Sequence, residues 1–247
     1  MGIMLHPGTR PDDRDARDLR FRPSISRLPA RVDLSRHCGP VFTQRRILSC
    51  SANALASALM LIRNRQGTPI KRPSRLFMYY NSRALLGEAQ KDAGTTVRSA
   101  IKSVVRYGAC PETLWPYLVG NVLQKPPRAC YQRSDVHTIV YERITRNVDH
   151  MRACLAQGDP FIFGIQAYME PFSAAAKSAF LELPSRGNTL CGGHALVAVG
   201  YDRKKKAVLA RNSLGPAYGR DGFFWIDQRY LTDPGLSYDF WRITAVE

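Results

Sequence analysis

The feature that most limits the fold of this 247-residue chain is a change of hydrophobic period near Pro126 and Pro127. Before it the apolar residues recur at helical spacing. Cys50 to Asn64 is Ala/Leu/Met-rich, with Ser49 just ahead as an N-cap and Gly67 and Pro69 beyond its end. Ser74 to Leu86 forms a second such stretch behind Pro73, and Thr95 to Tyr107 a third that stops at Gly108. From Val136 onward the apolar runs shorten to HTIVYERI, PFIFGI, HALVAVGY, KAVLARNS, GFFWID and FWRITAV, rich in Val, Ile, Phe and Trp. One helix interrupts them at about Asn147 to Ala156. Helices first and strands afterwards is the α+β pattern. It divides the chain into a lead segment at 1–27, a mainly helical lobe at 28–134 and a mainly β lobe at 135–247.

Charge narrows the partners without naming one. With 36 Lys+Arg, 28 of them Arg, against 20 Asp+Glu, the net charge is +16 and the surface favours anions of every kind. No zinc-finger spacing, RNP-type aromatic motif or phosphate-binding glycine loop accompanies that charge, so nucleic acid is not the expected partner. The six cysteines, at 38, 50, 110, 130, 154 and 191, form no Cys-x-x-Cys pair, which argues against structural zinc; no metal or cofactor is expected. No apolar run is long enough to span a membrane. The start MGIMLH lacks both a secretory h-region and the Ser or Thr of a myristoylation signal, and the compartment stays open.

Three residues carry the chemistry only when taken together. Cys50 alone reads as a small buried hydrophobe, but it stands at the first turn of the strongest helix, where free N–H groups and the helix dipole favour a thiolate. His194 opens the strand HALVAVGY behind two glycines, and Asn212 ends the next strand, KAVLARN; alone, each reads as a structural or turn residue. The charged turn at Asp202 to Lys206 pairs those strands as a hairpin, so that Asn212 reaches the His194 imidazole. Nucleophile, base and base-orienter are then present. Gln44, six residues before Cys50, is placed to donate its amide to an oxyanion beside the Cys50 N–H.

The stretch PARVDLSRHCGPVFTQRRILSCSANALASAL resembles the active-site region of the papain-like cysteine peptidases, and SRLFMYYNSR, GACPETLWPY, GGHALVAVGYD and RNSLGPAYGRDGFFWI follow in that family's order. The resemblance implies a papain-like two-lobe fold with the site in the cleft and an antiparallel, barrel-like β lobe. It implies Cys50 as nucleophile, His194 as general base and acid, Asn212 as orienter and Gln44 as oxyanion donor, acting on peptide or protein substrates. The short basic lead and reduced disulfide set suggest a bacterial branch of that family.

Departures from the pattern carry expectations of their own. Ile47-Leu48-Ser49-Cys50-Ser51 replaces the family's C-G-S-C-W, placing a leucine beside the catalytic loop, where it narrows the cleft. Leu214 and Tyr218 stand at the family's two tryptophan positions, so a wetter Asn–His bond is expected. No His pair lies between Ala167 and Gly192, which favours internal cleavage over trimming. The lead 1–27 is either a short cover folded over the cleft or a disordered tail. A peptide-binding protein on the same scaffold and an acyl transferase using the same thiol are the alternatives to hydrolysis.

Overall fold

The computed structural model describes residues 6, 8–136 and 138–246. Of the lead, residues 1–5 and 7 lie outside them, as does His137 of the first expected strand.

Three helices fill the first half. Helix α1 (Cys50–Arg65) is buried from Cys50 through Ile62, on every side, as a central helix is, with its few polar side chains, such as Asn53, hydrogen-bonded. Ser49 precedes it without capping it; its hydroxyl is used elsewhere, as shown below. Helix α2 (Arg75–Leu85) starts where the Ser74 side chain accepts from the Phe77 N–H. Helix α3 (Val97–Tyr107) opens with a Thr96/Ser99 capping box and ends at Gly108, whose φ of 71° suits glycine. Short helix α4 (Arg128–Gln132) follows.

The second half builds one sheet. Strands β2 (Ile139–Arg143), β3 (Phe161–Tyr168), β5 (Leu190–Asp202), β6 (Ala207–Arg211), β7 (Phe223–Asp227) and β8 (Ser237–Val246) are joined by β4 (Phe180–Leu181) in the order β2-β8-β3-β5-β6-β7-β4. Every pairing in that path is antiparallel except β4 with β7. An early strand, β1 (Arg31–Asp33), pairs with β5, so the first residues after the lead belong to the sheet rather than to the helices. Helix α5 (Val148–Ala156) is capped by Asn147 at the expected place. Helices α6 (Met169–Ser178) and α7 (Gln228–Thr232) are additions that the sequence pattern had not separated from the strands around them.

Helix α1 packs against β5 and β8, and this contact makes the site. Leu55, Leu59, Leu61 and Ile62 are buried to 2% exposure or less, each worth about 1.5–3 kcal/mol of burial. In the β lobe Phe161, Phe163 and Phe240 are buried together on one face of β3 and β8, Phe163 and Phe240 stacked with ring centres 5.8 Å apart, and Trp241, the next residue of β8, is buried on the other face. No helix among the described residues is long and apolar enough to cross a membrane.

Candidate active site

The helix start and the sheet meet at Cys50. As the first residue of α1 it faces β5, and its thiol is fully buried. His194 sits in the same strand, opposite Ile165 of β3, also fully buried. The β5–β6 hairpin forms as expected, and Asn212, the residue after β6, places its Oδ1 2.9 Å from His194 Nε2. A carbonyl oxygen only accepts, so Nε2 carries the proton and Nδ1 is left as the atom for Cys50. Burial pushes the Cys50 thiol up. The neighbouring His194 ring and its charge, the Thr9 hydroxyl and the Ala195 N–H together outweigh it, so the net shift is downward.

The His194–Asn212 pair is not wet. His194 is fully buried and Asn212 is 3% exposed. Phe172, from α6, meets the imidazole edge-on at 5.6 Å, and Tyr218 packs on Phe172 at 5.1 Å. The expected weakening from Leu214 and Tyr218 therefore does not arise, because a helix the sequence pattern had not resolved supplies the missing aromatic ring.

Gln44, in the loop before α1, is fully buried. Its N–H donates to the Ser213 carbonyl at 2.7 Å, and Thr43 bridges Leu214, so the loop before α1 is clipped to the chain just after Asn212. The Ser213 hydroxyl donates to Gln44 Oε1 at 2.7 Å. That fixes the amide so that Nε2 faces the cleft, where it donates to the carbonyls of His6 at 2.9 Å and Ile47 at 3.0 Å.

Residues of the lead occupy this cleft. The Thr9 hydroxyl lies 2.9 Å from the Cys50 sulfur. The Thr9 N–H donates to the Gly193 carbonyl at 3.0 Å, the Thr95 N–H to the Gly8 carbonyl at 2.7 Å, and Tyr238 Oη to the Thr9 carbonyl at 3.0 Å. The approach is so close that a Cβ on Gly8 would overlap the Leu48 carbonyl, and one on Gly193 the Thr9 carbonyl. It is the Leu48 backbone that the lead approaches here. Farther along, Asp12, with a fully buried side chain, accepts from the Arg98 N–H at 3.1 Å and Trp241 Nε1 at 2.8 Å; Asp18 accepts from Arg98 and Arg143.

Comparison with known proteins gives the family and the fold. The family profile described as papain family cysteine protease matches residues 88–237. An uncharacterised peptidase C1-like protein of Acanthamoeba polyphaga mimivirus is 33% identical over 209 residues, 80% of this chain and 67% of that protein. The chain belongs to the papain family of cysteine proteases. It is thereby a hydrolase by class, and its α+β fold is the papain-like one. Xylellain, a cysteine protease from Xylella fastidiosa, superposes with a TM-score of 0.91 at 36% identity, over 100% of this chain and 98% of that one. A digestive procathepsin L 3 of Tenebrio molitor larval midgut shares the fold at a TM-score of 0.75 and 19% identity, over 97% of this chain and 76% of that one.

All four residues singled out in this papain-family chain, Cys50, His194, Asn212 and Gln44, meet in one cleft. Sequence reasoning missed Ser213, Phe172, Thr9 and Tyr117. Only Ser213, adjacent to Asn212, carried a local signal; the others arrive from far along the chain.

Proposed function

We propose that the chain is a cysteine endopeptidase that hydrolyses peptide bonds through a thioester acyl-enzyme. The observation that carries the reading is the Cys50 thiol at the helix start, lowered in pKa by a His194 ring whose other nitrogen is held by Asn212. The Cys50 thiol passes its proton to His194 Nδ1, and the sulfur attacks the peptide carbonyl carbon to form the S–C bond. The oxygen takes the electron pair and is held by Gln44 Nε2 and the Cys50 N–H. His194 gives its Nδ1 proton to the leaving amine as the C–N bond breaks, then takes a proton from water, whose oxygen displaces the thiolate. The α6 and β4 region, 169–181, contributes no histidine to the cleft, in keeping with internal cleavage.

The lead, 1–27, acts in this reading as a cover ahead of the lobes at 28–134 and 135–247. The His6 carbonyl takes the Gln44 amide that an oxyanion needs, while the Thr9 hydroxyl rather than a carbonyl carbon meets the thiol. A closed chain is therefore not cleaved at that point, and substrate enters only when the segment leaves.

The test is intact-mass spectrometry of the full chain with a peptidyl epoxide, in wild type and in Gly8→Val, followed by product masses from a peptide mixture. The reading expects one adduct, faster in Gly8→Val, absent in Cys50→Ala and suppressed in His194→Ala, with products that gain one water. Products carrying an added amine would make it an acyl transferase. An adduct without any turnover would favour the peptide-binding alternative.

A further inference from the structure

A chain of buried donors runs from a cation remote from the cleft to the loop that holds Gln44. Arg75, at the start of α2, has a side chain only 6% exposed. It donates to Glu112 through Nε at 2.9 Å and Nη2 at 3.1 Å, and lies between two rings, 4.5 Å from the centre of Phe42 and 3.9 Å from that of Tyr117. Its Nη1 donates to Asn53 Oδ1 at 2.9 Å. Guanidinium has no acceptor, so this bond decides which way the Asn53 amide points. Asn53 Nδ2 is left to donate to the Ser49 carbonyl at 2.9 Å and to Ser49 Oγ at 3.0 Å.

The direction continues. Tyr117 Oη donates to the Gln44 carbonyl at 3.0 Å, so in its 2.6 Å contact with Ser49 Oγ it must accept. Burial pushes the Tyr117 phenol up, which keeps it a donor at working pH. Every hydrogen in the series therefore points one way, from Arg75 through Asn53, Ser49 and Tyr117 to the backbone of Gln44. Ser49 is the residue before Cys50, so the same series grips the two backbone segments that would supply the oxyanion donors.

The geometry points to Arg75 and Tyr117 as positioning residues of the oxyanion site: together they fix the separation between Gln44 and the Cys50 N–H without touching substrate. The role rests on the proposed peptidase reading, yet it has a consequence that thiol reactivity alone does not share. Attack of the thiolate on iodoacetamide forms an S–C bond and expels iodide, and no oxyanion develops. Addition of the thiol to a peptide aldehyde forms an S–C bond and turns the carbonyl oxygen into a hydroxyl or alkoxide inside the oxyanion site, the proton coming from the thiol–imidazole pair.

The experiment uses the full chain carrying Gly8→Val, with Tyr117→Phe added, and compares three quantities: the rate of iodoacetamide alkylation at Cys50, the affinity for a peptide aldehyde, and kcat and KM for a peptide. The expected result is about tenfold weaker aldehyde binding and about tenfold lower kcat, with KM and alkylation rate unchanged within about twofold. Ser49→Ala, which breaks the series one bond earlier, should reproduce the split, and serves if Tyr117→Phe fails to fold. Arg75→Lys should fall part-way, because it keeps the charge and loses the two-point grip on Glu112.

Unchanged aldehyde binding in Tyr117→Phe and Ser49→Ala would overturn the assignment, as would an equal fall in alkylation and aldehyde binding. So would a Gly8→Val parent that alkylates and binds no aldehyde. A parent that binds aldehyde and hydrolyses no peptide would sink the peptidase reading alone, and the aldehyde comparison would still decide the positioning role.

Discussion

Replacing Gly8 by alanine should open the cleft without unfolding the protein. The added Cβ would overlap the Leu48 carbonyl, a backbone atom two residues before Cys50 that cannot move aside cheaply. To avoid it, the segment from His6 to Arg10 must lift, losing the bonds from Gln44 Nε2 to the His6 carbonyl, from the Thr95 N–H to the Gly8 carbonyl, from the Thr9 N–H to the Gly193 carbonyl, from the Arg10 N–H to the Thr95 carbonyl, and from Tyr238 to the Thr9 carbonyl. At about 0.5–1.5 kcal/mol net for each bond, the loss is roughly 3–7 kcal/mol. Freeing about four residues returns roughly 1–2 kcal/mol of backbone entropy apiece, about 4–8 kcal/mol in all, which is of the same size. The segment is therefore held down by no more than roughly 3 kcal/mol, and displacing it should open the cleft by up to about 150-fold. Downstream, the Asp12 and Asp18 anchors stay in place. The assay is the second-order rate of Cys50 labelling by a peptidyl epoxide on the full chain, with urea unfolding alongside. Gly120→Ala, where a Cβ meets nothing within 4 Å, serves as the control and should change neither. A folded Gly8→Ala protein that labels at the wild-type rate would refute the reasoning, since access would then not be limited by the segment.

Three further outcomes follow from the same geometry. Because the Cys50 thiol is held below its ordinary range, alkylation should stay fast at pH values where a free cysteine is slow and fall only as pH drops through the lowered value; in His194→Ala, with burial left unopposed, the midpoint should move above that of a free thiol, as measured by iodoacetamide rates against pH. Asn212→Ala removes the acceptor that keeps the proton on Nε2 and should cut kcat/KM by roughly 10- to 100-fold with little change in melting temperature; an unchanged rate would mean that the tautomer is set by another group. The Asp239 carboxyl is pushed up from 3.8 to about 6 by burial and by the charge of Asp12, while the Asp12 N–H and Arg143 pull it down. The folded chain thus holds this proton more tightly than the unfolded one. Stability should fall as pH rises from about 4 to about 6, by ~2–3 kcal/mol at most, and level off above. Asn at 239 tolerates the local φ of 55° and should flatten that dependence; urea-unfolding curves of wild type and Asp239→Asn that run parallel from pH 4 to 7 would contradict it.

Much of this protein was legible in the sequence where the signal is local. The 3.6-residue period, with Ser74 as a cap and Gly108 as a stop, placed helices α2 and α3, a helix was expected near 147–156 where α5 lies, and the charged turn before Ala207 placed the β5–β6 hairpin that brings Asn212 to His194. Cys50 and Asn212 were identifiable because each stands at the boundary of an element whose position the pattern fixes, whereas His194, inside β5, and Gln44, in the loop before α1, were picked out by their place in the motifs around them. Ser49 shows where local reasoning stops: as a residue before a helix it reads as a cap, yet its hydroxyl goes to Tyr117, 68 residues away.

Tertiary structure alone decided the rest. That the His194–Asn212 bond is dry depends on Phe172 of α6 reaching across from another element. Whether the charged, Pro-containing lead orders was undecided by its composition, because its apolar content is too low to drive folding by itself. What holds it is supplied by the finished surface: Arg98 on α3, Arg143 on β2, and Asp239 and Trp241 on β8, brought together only after the helices and the sheet have packed. Period, caps and turns act within a few residues and can be read along the chain. An oxyanion pocket, an aromatic screen and an ionic anchor are made of groups distant in sequence, and only packing fixes where they meet.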